Sequence, residues 1–440
     1  MLHVAIVGAG PAGFYAAEAL VKRLGSDTAV DIIDRLPTPY GLIRAGVAPD
    51  HQSIKAVDRR YHAVLAGGVR FVGNVEIGDG GVTINELQNL YDAVVLATGA
   101  PEDRPLDIPG DDLPGVMGSA AFVGWYNGHP DFTGVDVPLR HPGVSVIGNG
   151  NVAIDVARIL AKTPTELAPS DIARHARDAL ATSMVRDIHI IGRRGPYQAS
   201  FTPKEMGELG LLERAQPHVD PQDLPDAASD VTLDPGLRKV ISHLRAFAVA
   251  PPRALPVTIN FDFLYRPIAI ERVDGALRLT IERNRLDGDK AVGTGMVRTI
   301  DCGLIVGCIG YRSTPITGIP FDTSSGRFVN DAGRIAPGLY VTGWAQRGPS
   351  GTIGTSKPDG IAVAEAIATQ VTSSDRSGGA GLDSLLAVRG IKPVSFSGWQ
   401  AIDAVELRAA VNGSPREKLV TRPELIAAME GGCTIGGTPL

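Results

Sequence analysis

The sequence contains only three cysteines, Cys302, Cys308 and Cys433, and no two of them form a C-x-x-C pair. Three thiols cannot build a disulfide framework, and with this spacing they predict no zinc site, iron–sulfur cluster or redox-active dithiol. Cys302 and Cys308 lie in a short apolar run, where even spacing places both on one face of a strand. We therefore expect these two to be core residues, and we expect no metal site in the chain.

Long hydrophobic runs and an excess of positive charge are also missing. No stretch of about eighteen apolar residues is present, so no membrane span is predicted. The first residues already form a strand-like run, Leu2–Val7, which leaves no room for a signal or transit peptide, and we expect a cytoplasmic protein. With 42 Lys and Arg against 48 Asp and Glu, the net charge is -6, which argues against a surface made for nucleic acid.

Glycine, in contrast, is abundant, with 53 of 440 residues against a usual share of about 7%. The glycines follow no collagen-like period, and aromatic residues make up only 5% of the chain. This composition predicts many tight turns and close packing of helices on sheets. A chain of 440 residues exceeds one ordinary core, so we expect two or three domains.

A strand, a glycine-rich turn and a helix follow one another at the N-terminus. The turn carries Gly8, Gly10 and Gly13, directly after the strand-like run and before a helix-forming sequence. These glycines allow a tight turn, approach of a pyrophosphate to the backbone, and close packing of the helix on the strand. Asp34 ends the next predicted strand, where a carboxylate accepts hydrogen bonds from an adenosine ribose. The pattern predicts a dinucleotide site that suits FAD.

A second unit of the same type lies far along the chain. Gly148 and Gly150 follow an apolar strand and precede a helical sequence, and the next predicted strand runs into Arg193 and Arg194. Two guanidiniums at this place would bind a 2′-phosphate, which a carboxylate would repel. The second unit therefore predicts binding of NADP in preference to NAD. A solvated turn is the simpler alternative for the two arginines.

The order of these units predicts an α/β protein with two Rossmann-like dinucleotide-binding domains. Strand-like runs that end at Gly99 and Gly343 lie on either side of the second unit. We expect an NADP-binding domain at residues 103–317, inserted into a discontinuous FAD-binding domain that consists of residues 1–102 and 318–440. The connections at both boundaries are rich in turn residues, which suits a hinge.

Five stretches of the chain resemble the ferredoxin–NADP reductases of the adrenodoxin-reductase type. They occur in the order of that family and read G-A-G-P-A-G (8–13), P-T-P-Y-G-L-I-R-A-G-V-A-P-D-H (37–51), I-G-N-G-N-V-A-I-D-V-A-R-I-L (147–160), I-G-R-R-G-P-Y-Q-A-S-F-T-P-K-E (191–205) and T-G-W-A-Q-R-G-P-S-G-T-I-G-T (342–355). The resemblance weakens in the C-terminal part. It implies a flavoprotein that transfers hydride from NADPH to FAD and then single electrons to a ferredoxin-type iron–sulfur protein.

The resemblance also implies roles for individual residues around the two cofactors. Asp34 stands where the family usually has Glu, so its reach towards the ribose is shorter. The implied FAD contacts are Gly8, Gly10, Ala12, Gly13, Asp34, Leu42, Val75, Trp344, Gly351, Thr352 and Ile353. The implied NADP(H) contacts are Asn149, Gly150, Asn151, Val152, Arg193, Arg194 and Glu205.

His51 and Glu208 are the candidate catalytic residues. The family places a His–acid pair beside the nicotinamide; His51 ends the motif 37–51, and Glu208 would share a helical face with Glu205. For His51 the alternative is a loop histidine that caps the backbone. Hydride transfer itself needs no general base, because the cofactors carry the chemistry and the protein orients their rings.

The expected electron acceptor is a 2Fe–2S ferredoxin, a class of protein that is usually acidic. Arg238, Lys239 and Arg245 are the candidate docking patch, with Arg238 and Arg245 on one face if the segment is helical. An ordinary solvated helix face is the alternative. We expect a monomer that binds neither nucleic acid nor membrane. The alternatives for function are another acceptor, such as a flavodoxin, a quinone or a partner subunit, and a redox sensor without turnover.

Overall fold

A computed structural model of the chain describes residues 1–411 and 413–431, together with the backbone of 434–435 and 438–439. The chain divides into two compact units. The first unit contains Met1–Glu102, Asn127–Asp131 and Tyr311–Leu440, and the second contains Asp103–Tyr126 and Phe132–Gly310. Cys433 lies outside the described residues. No helix in the described part of the chain is long and apolar enough to cross a membrane.

The first unit is built on a six-stranded sheet of short apolar strands. Valine and isoleucine dominate the central strands, which are buried, as expected for a sheet covered on both faces. All neighbouring pairs are parallel except the first pair at one edge. The order of the strands across the sheet is Arg334–Ala336, Leu339–Val341, Ala93–Leu96, Leu2–Val7, Thr28–Ile33 and Arg70–Val72.

The first unit also contains ten α-helices and two hairpins in its described part. The helices are Pro11–Leu24, Leu42–Ala45, Gln52–Lys55, Asp58–Ala66, Ile84–Leu90, Trp344–Arg347, Ser356–Gln370, Gly378–Val388, Phe396–Arg408 and Arg422–Met429. The hairpins pair Phe321–Asp322 with Arg327–Phe328 and Thr434–Ile435 with Thr438–Pro439. The four C-terminal helices place buried apolar residues in the same cores as the N-terminal strands.

The second unit has a six-stranded sheet in which every neighbouring pair is parallel. Its strands, in order, are Val116–Gly118, Leu304–Gly307, Gly143–Ile147, Asp187–Gly192, Val257–Phe263 and Ala215–Val219. A separate three-stranded antiparallel sheet follows the fifth of these strands and consists of Tyr265–Val273, Ala276–Asp287 and Lys290–Cys302. The sequence analysis did not predict this antiparallel sheet.

Helices pack on the parallel sheet of the second unit in its larger apolar core, and the antiparallel sheet packs on Ile147, Ile191 and Ile305 in a second core. The α-helices in this part of the chain are Ser119–Asn127, Asn151–Ala161, Pro164–Leu167, Arg174–Ala181, Pro203–Leu209 and Pro235–Val249. Strand, glycine loop and helix follow one another at the start of the first unit and again from residue 143 of the second. The carboxyl ends of parallel strands are where ligands bind in such sheets, so these two loops are the places to look for function.

Candidate dinucleotide sites

The first glycine loop has a backbone that only glycine can supply. Gly8 follows the strand Leu2–Val7 with φ +115°, and a Cβ at this position would collide with the carbonyl of Ala97. The helix Pro11–Leu24 starts at Gly10, and no side chain caps its first turn. The amides of an uncapped first turn and the positive end of the helix dipole are suited to a phosphate.

Asp34 is bound to the loop that it follows. Its Oδ2 accepts a hydrogen bond from the amide of Ala9 at 2.7 Å, and its Oδ1 accepts one from the amide of Leu36 at 2.9 Å. Burial raises the pKa of the carboxyl above its ordinary value, and the two amides oppose that rise. A carboxylate oxygen can accept more than one hydrogen bond. The carboxylate therefore fixes the glycine loop, and its contact with a ribose stays a prediction.

Three of the other predicted residues lie in the connections after this strand. Leu42 begins the short helix Leu42–Ala45 with its side chain 44% exposed. Val75 is fully buried, and its amide donates to the carbonyl of Asp34 at 2.9 Å. His51 is buried at the start of the helix Gln52–Lys55, but its ring makes no capping bond to that helix. The ring therefore does not cap this helix, and the role of His51 stays a prediction.

The second group of predicted flavin contacts follows the strand Leu339–Val341. Trp344 begins a four-residue helix, donates through Nε1 to the carbonyl of Ser350 at 3.1 Å, and stacks on Tyr311 with ring centroids 6.2 Å apart. Gly351, Thr352 and Ile353 follow as a turn that enters a short 3-10 helix at Ile353–Thr355. The bond to Ser350 thus fixes the tryptophan against the start of this turn.

Two buried threonines support a ligand at this edge of the sheet. Thr98 and Thr342 follow neighbouring parallel strands, and the amide of Thr342 donates to the carbonyl of Leu96 at 2.9 Å. Both hydroxyl groups are buried and have no hydrogen-bond partner among the described residues. A buried hydroxyl without a partner is costly unless something else binds it. Together with the uncapped helix, these groups fit the diphosphate and sugar of a dinucleotide. The sequence analysis missed both threonines.

The second glycine loop repeats the geometry of the first. Gly148 has φ +146°, and a Cβ there would collide with the carbonyl of Cys308. The helix Asn151–Ala161 starts at Gly150 without a side-chain cap. Asn149 has a buried Oδ1 without a partner among the described residues, and the Oδ1 of Asn151 accepts from the amide of Thr202 at 2.8 Å. Val152 lies in the uncapped first turn, so all four predicted residues surround one helix N-terminus.

Arg193 and Arg194 occupy the turn after the next strand, Asp187–Gly192. Arg193 is exposed and Arg194 is half-buried. The segment that follows this turn contacts the second glycine loop, because the amide of Ser200 donates to the carbonyl of Asn149 at 2.8 Å. Two guanidiniums in a turn that follows a glycine-loop unit are suited to an anionic group.

Glu205 and Glu208 lie on the helix Pro203–Leu209 and contact the same buried arginine. The guanidinium of Arg158 lies 2.7 Å from Asp155, 3.6 Å from Glu208 and 4.0 Å from Glu205. The Arg158 side chain is only 1% exposed, so its charge needs these carboxylates. The sequence analysis did not predict this role for Arg158. An arginine among apolar residues in the second half of the helix Asn151–Ala161 was the available signal.

The three basic residues of the candidate docking helix, Pro235–Val249, differ in exposure and in their partners. Lys239 and Arg238 are exposed, and the Arg238 guanidinium donates to backbone carbonyls of the preceding segment. Arg245 is half-buried and forms a two-point ion pair with Asp230, with its closer distance at 2.6 Å. The charge of Arg245 is therefore compensated within the unit, and Lys239 carries the more available positive charge.

Both described cysteines are free thiols. Cys302 is fully buried, and burial raises its pKa to about 11. Burial also raises the pKa of the half-buried Cys308 well above its usual range. A thiol with a raised pKa is a poor nucleophile at neutral pH. Neither cysteine is thus suited to thiol–disulfide exchange.

Two α/β units, each with a glycine loop at the start of an uncapped helix, define the class of two-dinucleotide flavoproteins. A family model for pyridine nucleotide-disulphide oxidoreductases matches residues 2–195 of the chain. NADPH-ferredoxin reductase FprA of Mycobacterium tuberculosis is 40% identical over 453 residues, covering 96% of this chain and 98% of FprA. The mitochondrial NADPH:adrenodoxin oxidoreductase of Arabidopsis thaliana is 40% identical over 461 residues, covering 97% of this chain and 95% of that protein.

Solved structures give the same result. The structure of Mycobacterium tuberculosis FprA in complex with NADPH has a TM-score of 0.93 at 39% identity, covering 98% of this chain and 100% of that one. The chain belongs to the family of NADPH-dependent ferredoxin and adrenodoxin reductases. The predicted α/β fold class with two dinucleotide-binding domains and the predicted family are confirmed.

Proposed function

We propose that the protein is an NADPH-dependent FAD oxidoreductase that reduces a ferredoxin-type iron–sulfur protein. One observation carries this proposal. Two uncapped helix N-termini follow glycine loops in separate units. Asp34 follows the strand after the first loop, whereas Arg193 and Arg194 follow the strand after the second. The opposite charges suit a free ribose at the first site and a 2′-phosphate at the second.

We assign FAD to the domain formed by residues 1–102 and 318–440, and NADP(H) to residues 103–317. The first-turn amides at Ala12 and Gly13 would hold the FAD diphosphate. Trp344 and residues 351–353 would lie along the flavin. When bound, FAD accepts hydride from NADPH and releases electrons one at a time, which matches a two-electron donor to a one-electron acceptor.

The protein's part in the reaction is to bind and orient the two cofactors. Asn149 to Val152 would hold the NADP pyrophosphate, and Glu205 the far side of that subsite. We assign His51 and Glu208 to the reaction centre as the pair that orients the nicotinamide. Two observations support them: His51 is buried at the start of the helix Gln52–Lys55, and the Glu208 carboxylate lies 3.6 Å from the guanidinium of Arg158.

The proposed acceptor is a 2Fe–2S ferredoxin that docks on the patch formed by Arg238, Lys239 and Arg245. The proposed site of action is the cytoplasm, and the proposed form is a monomer. An acidic partner would be drawn to the exposed cations of this patch although the whole chain carries a net charge of -6. Lys239 is the member of the patch that best fits this role, since Arg245 is already paired with Asp230.

Reduction of cytochrome c by NADPH, with and without an added 2Fe–2S ferredoxin, tests this function. We expect a yellow purified protein whose cytochrome c reduction rises strongly when ferredoxin is present. Ferricyanide reduction without any effect of ferredoxin would keep the two cofactor sites and reject the acceptor, which would favour a flavodoxin, a quinone or a partner subunit. A colourless protein that stays inactive with added FAD would contradict the proposal at its first step.

A further inference from the structure

The turn that carries Arg193 and Arg194 is held by the antiparallel sheet of the same unit. Nδ2 of Asn284 donates to the carbonyl of Arg193 at 2.8 Å. The amide of Leu264 donates to the carbonyl of Arg194 at 3.1 Å, and the carbonyl of Leu264 accepts from the amide of Asn284 at 2.6 Å. Asn284 and Leu264 thus fix the two consecutive carbonyls of the arginine pair.

Asn284 is an unexpected residue for its place in the fold. It lies on the strand Ala276–Asp287, next to a register shift after Glu282, and its side chain is only 3% exposed. A buried strand position ordinarily carries an apolar residue, since burying an amide is costly unless it is hydrogen-bonded. Leu264 has φ +60°, a backbone conformation that persists only where its surroundings enforce it. The buried amide of Asn284 and the positive φ of Leu264 are both energetically unfavourable, and both residues bond to this turn.

The amide of Asn284 is only partly satisfied by the protein. Its Oδ1 is buried and has no hydrogen-bond partner among the described residues. Gln198, four residues after Arg194, has a buried Oε1 in the same condition. Native proteins leave few buried acceptors without a partner, and those that remain call for an explanation. These two acceptors near the turn can each accept a hydrogen bond from a donor outside the protein chain.

We propose that Asn284 is a positioning residue for the 2′-phosphate subsite and thereby a determinant of the preference for NADPH over NADH. It acts through the backbone of Arg193: with the carbonyl fixed, the two guanidiniums leave the turn in a defined direction. Charge-assisted, two-point recognition of a phosphate depends on that direction. The inference rests on the proposed role of Arg193 and Arg194 and adds a specificity determinant on the antiparallel sheet.

Binding of two small probes to the purified holoenzyme tests this inference by calorimetry. 2′,5′-ADP carries the 2′-phosphate, and 5′-AMP lacks it. We expect Asn284→Ala to raise the Kd of 2′,5′-ADP about tenfold, as for the loss of one hydrogen bond that positions a charged group, and to change the Kd of 5′-AMP less than about twofold. The ratio of kcat/KM for NADPH to that for NADH should fall by the same factor, mainly through the KM for NADPH.

Two further variants keep the test decisive. Asn284→Asp preserves the shape of the side chain but replaces the donor with an acceptor, so it should lose discrimination even if Asn284→Ala folds poorly. Thr299→Ala, on an exposed position of the neighbouring strand, is the matched control and should leave both Kd values unchanged. Equal weakening of both probes in the Asn284 variants, or no weakening of either, would overturn the positioning role.

The arginine variants separate this inference from the proposed function. If Arg193→Ala together with Arg194→Ala abolishes the preference for 2′,5′-ADP and Asn284→Ala does not change it, only the role of Asn284 is wrong. If the double arginine variant binds both probes as the parent does, the 2′-phosphate subsite itself lies elsewhere.

Discussion

The two arginines after the strand Asp187–Gly192 give the most direct prediction at the scale of single residues. Replacing Arg193 and Arg194 with alanine would remove the charge-assisted hydrogen bonds proposed to the 2′-phosphate, which are worth about 1.5–3 kcal/mol each. We expect the KM for NADPH to rise at least about tenfold relative to that for NADH, because only NADPH carries the 2′-phosphate. Steady-state ferricyanide reduction with each cofactor measures this shift. Equal changes for both cofactors would place the 2′-phosphate elsewhere.

The glycine loops could be predicted because their signal is local. Gly8 and Gly148 stand at a fixed place between a strand and a helix, and the backbone of both has the positive φ that the motif requires. Arg158 and Asn284 could not be predicted in the same way. Their roles come from contacts with residues distant in sequence, such as the pairing of Asn284 with Arg193. Local spacing carries no information about such contacts.

Among the elements, the helix Phe396–Arg408 has a role that could not be predicted from the sequence. Its Glu406 is fully buried and receives two hydrogen bonds from Arg44, at 2.5 and 2.9 Å. Arg416 and the amide of Leu419 also donate to this carboxylate. Arg44 belongs to the motif 37–51. The helix Phe396–Arg408 therefore holds the segment that contains Leu42, a predicted flavin contact.

Glu406 therefore predicts a pH-dependent stability. Burial alone would raise the pKa of its carboxyl, but Arg44 and Arg416 outweigh burial and hold that pKa below its ordinary value. A lowered folded-state pKa means that the stabilisation is complete above the unfolded value of about 4.3 and is lost as the pH falls through the folded value. We expect Glu406→Gln to lower the free energy of unfolding by about 3–5 kcal/mol at pH 7, with the difference from the parent shrinking below about pH 4.

Urea unfolding of parent and variant between neutral and acid pH measures this effect. Glu430→Gln is the matched control, because Glu430 forms an exposed ion pair with Lys392 at 3.2 Å. Exposed pairs contribute about 0–1 kcal/mol, so this variant should unfold nearly as the parent does at every pH. A loss at Glu406 that stayed constant with pH would show that the carboxylate charge is not what stabilises the loop.

For the whole molecule, the composition and the order of the motifs predicted two α/β units in one chain. The boundaries of these units in the structure depend on tertiary contacts and differ in part from those predicted. The sequence placed the second boundary between residues 317 and 318, at a turn-rich connection, whereas contacts divide the chain after Gly310. Residues 127–131 group with the first unit although the chain on both sides belongs to the second. The antiparallel sheet 265–302 was also not predicted. Its strands contain no sequence motif comparable to the glycine loops.

Charge on the surface of the whole protein gives the last prediction. Lys239→Glu should lower the ferredoxin-dependent rate of cytochrome c reduction several-fold at low salt. The difference from the parent should decrease as the ionic strength rises, because the screening length for exposed charges falls to about 10 Å at 0.1 M salt. Reduction of a small neutral quinone should not change. Lys290→Glu, an exposed lysine on another element of the same unit, makes the same change in net charge. If both variants lose the ferredoxin rate equally, net charge and not this helix guides the partner; a loss confined to Lys239→Glu places the docking surface on Pro235–Val249.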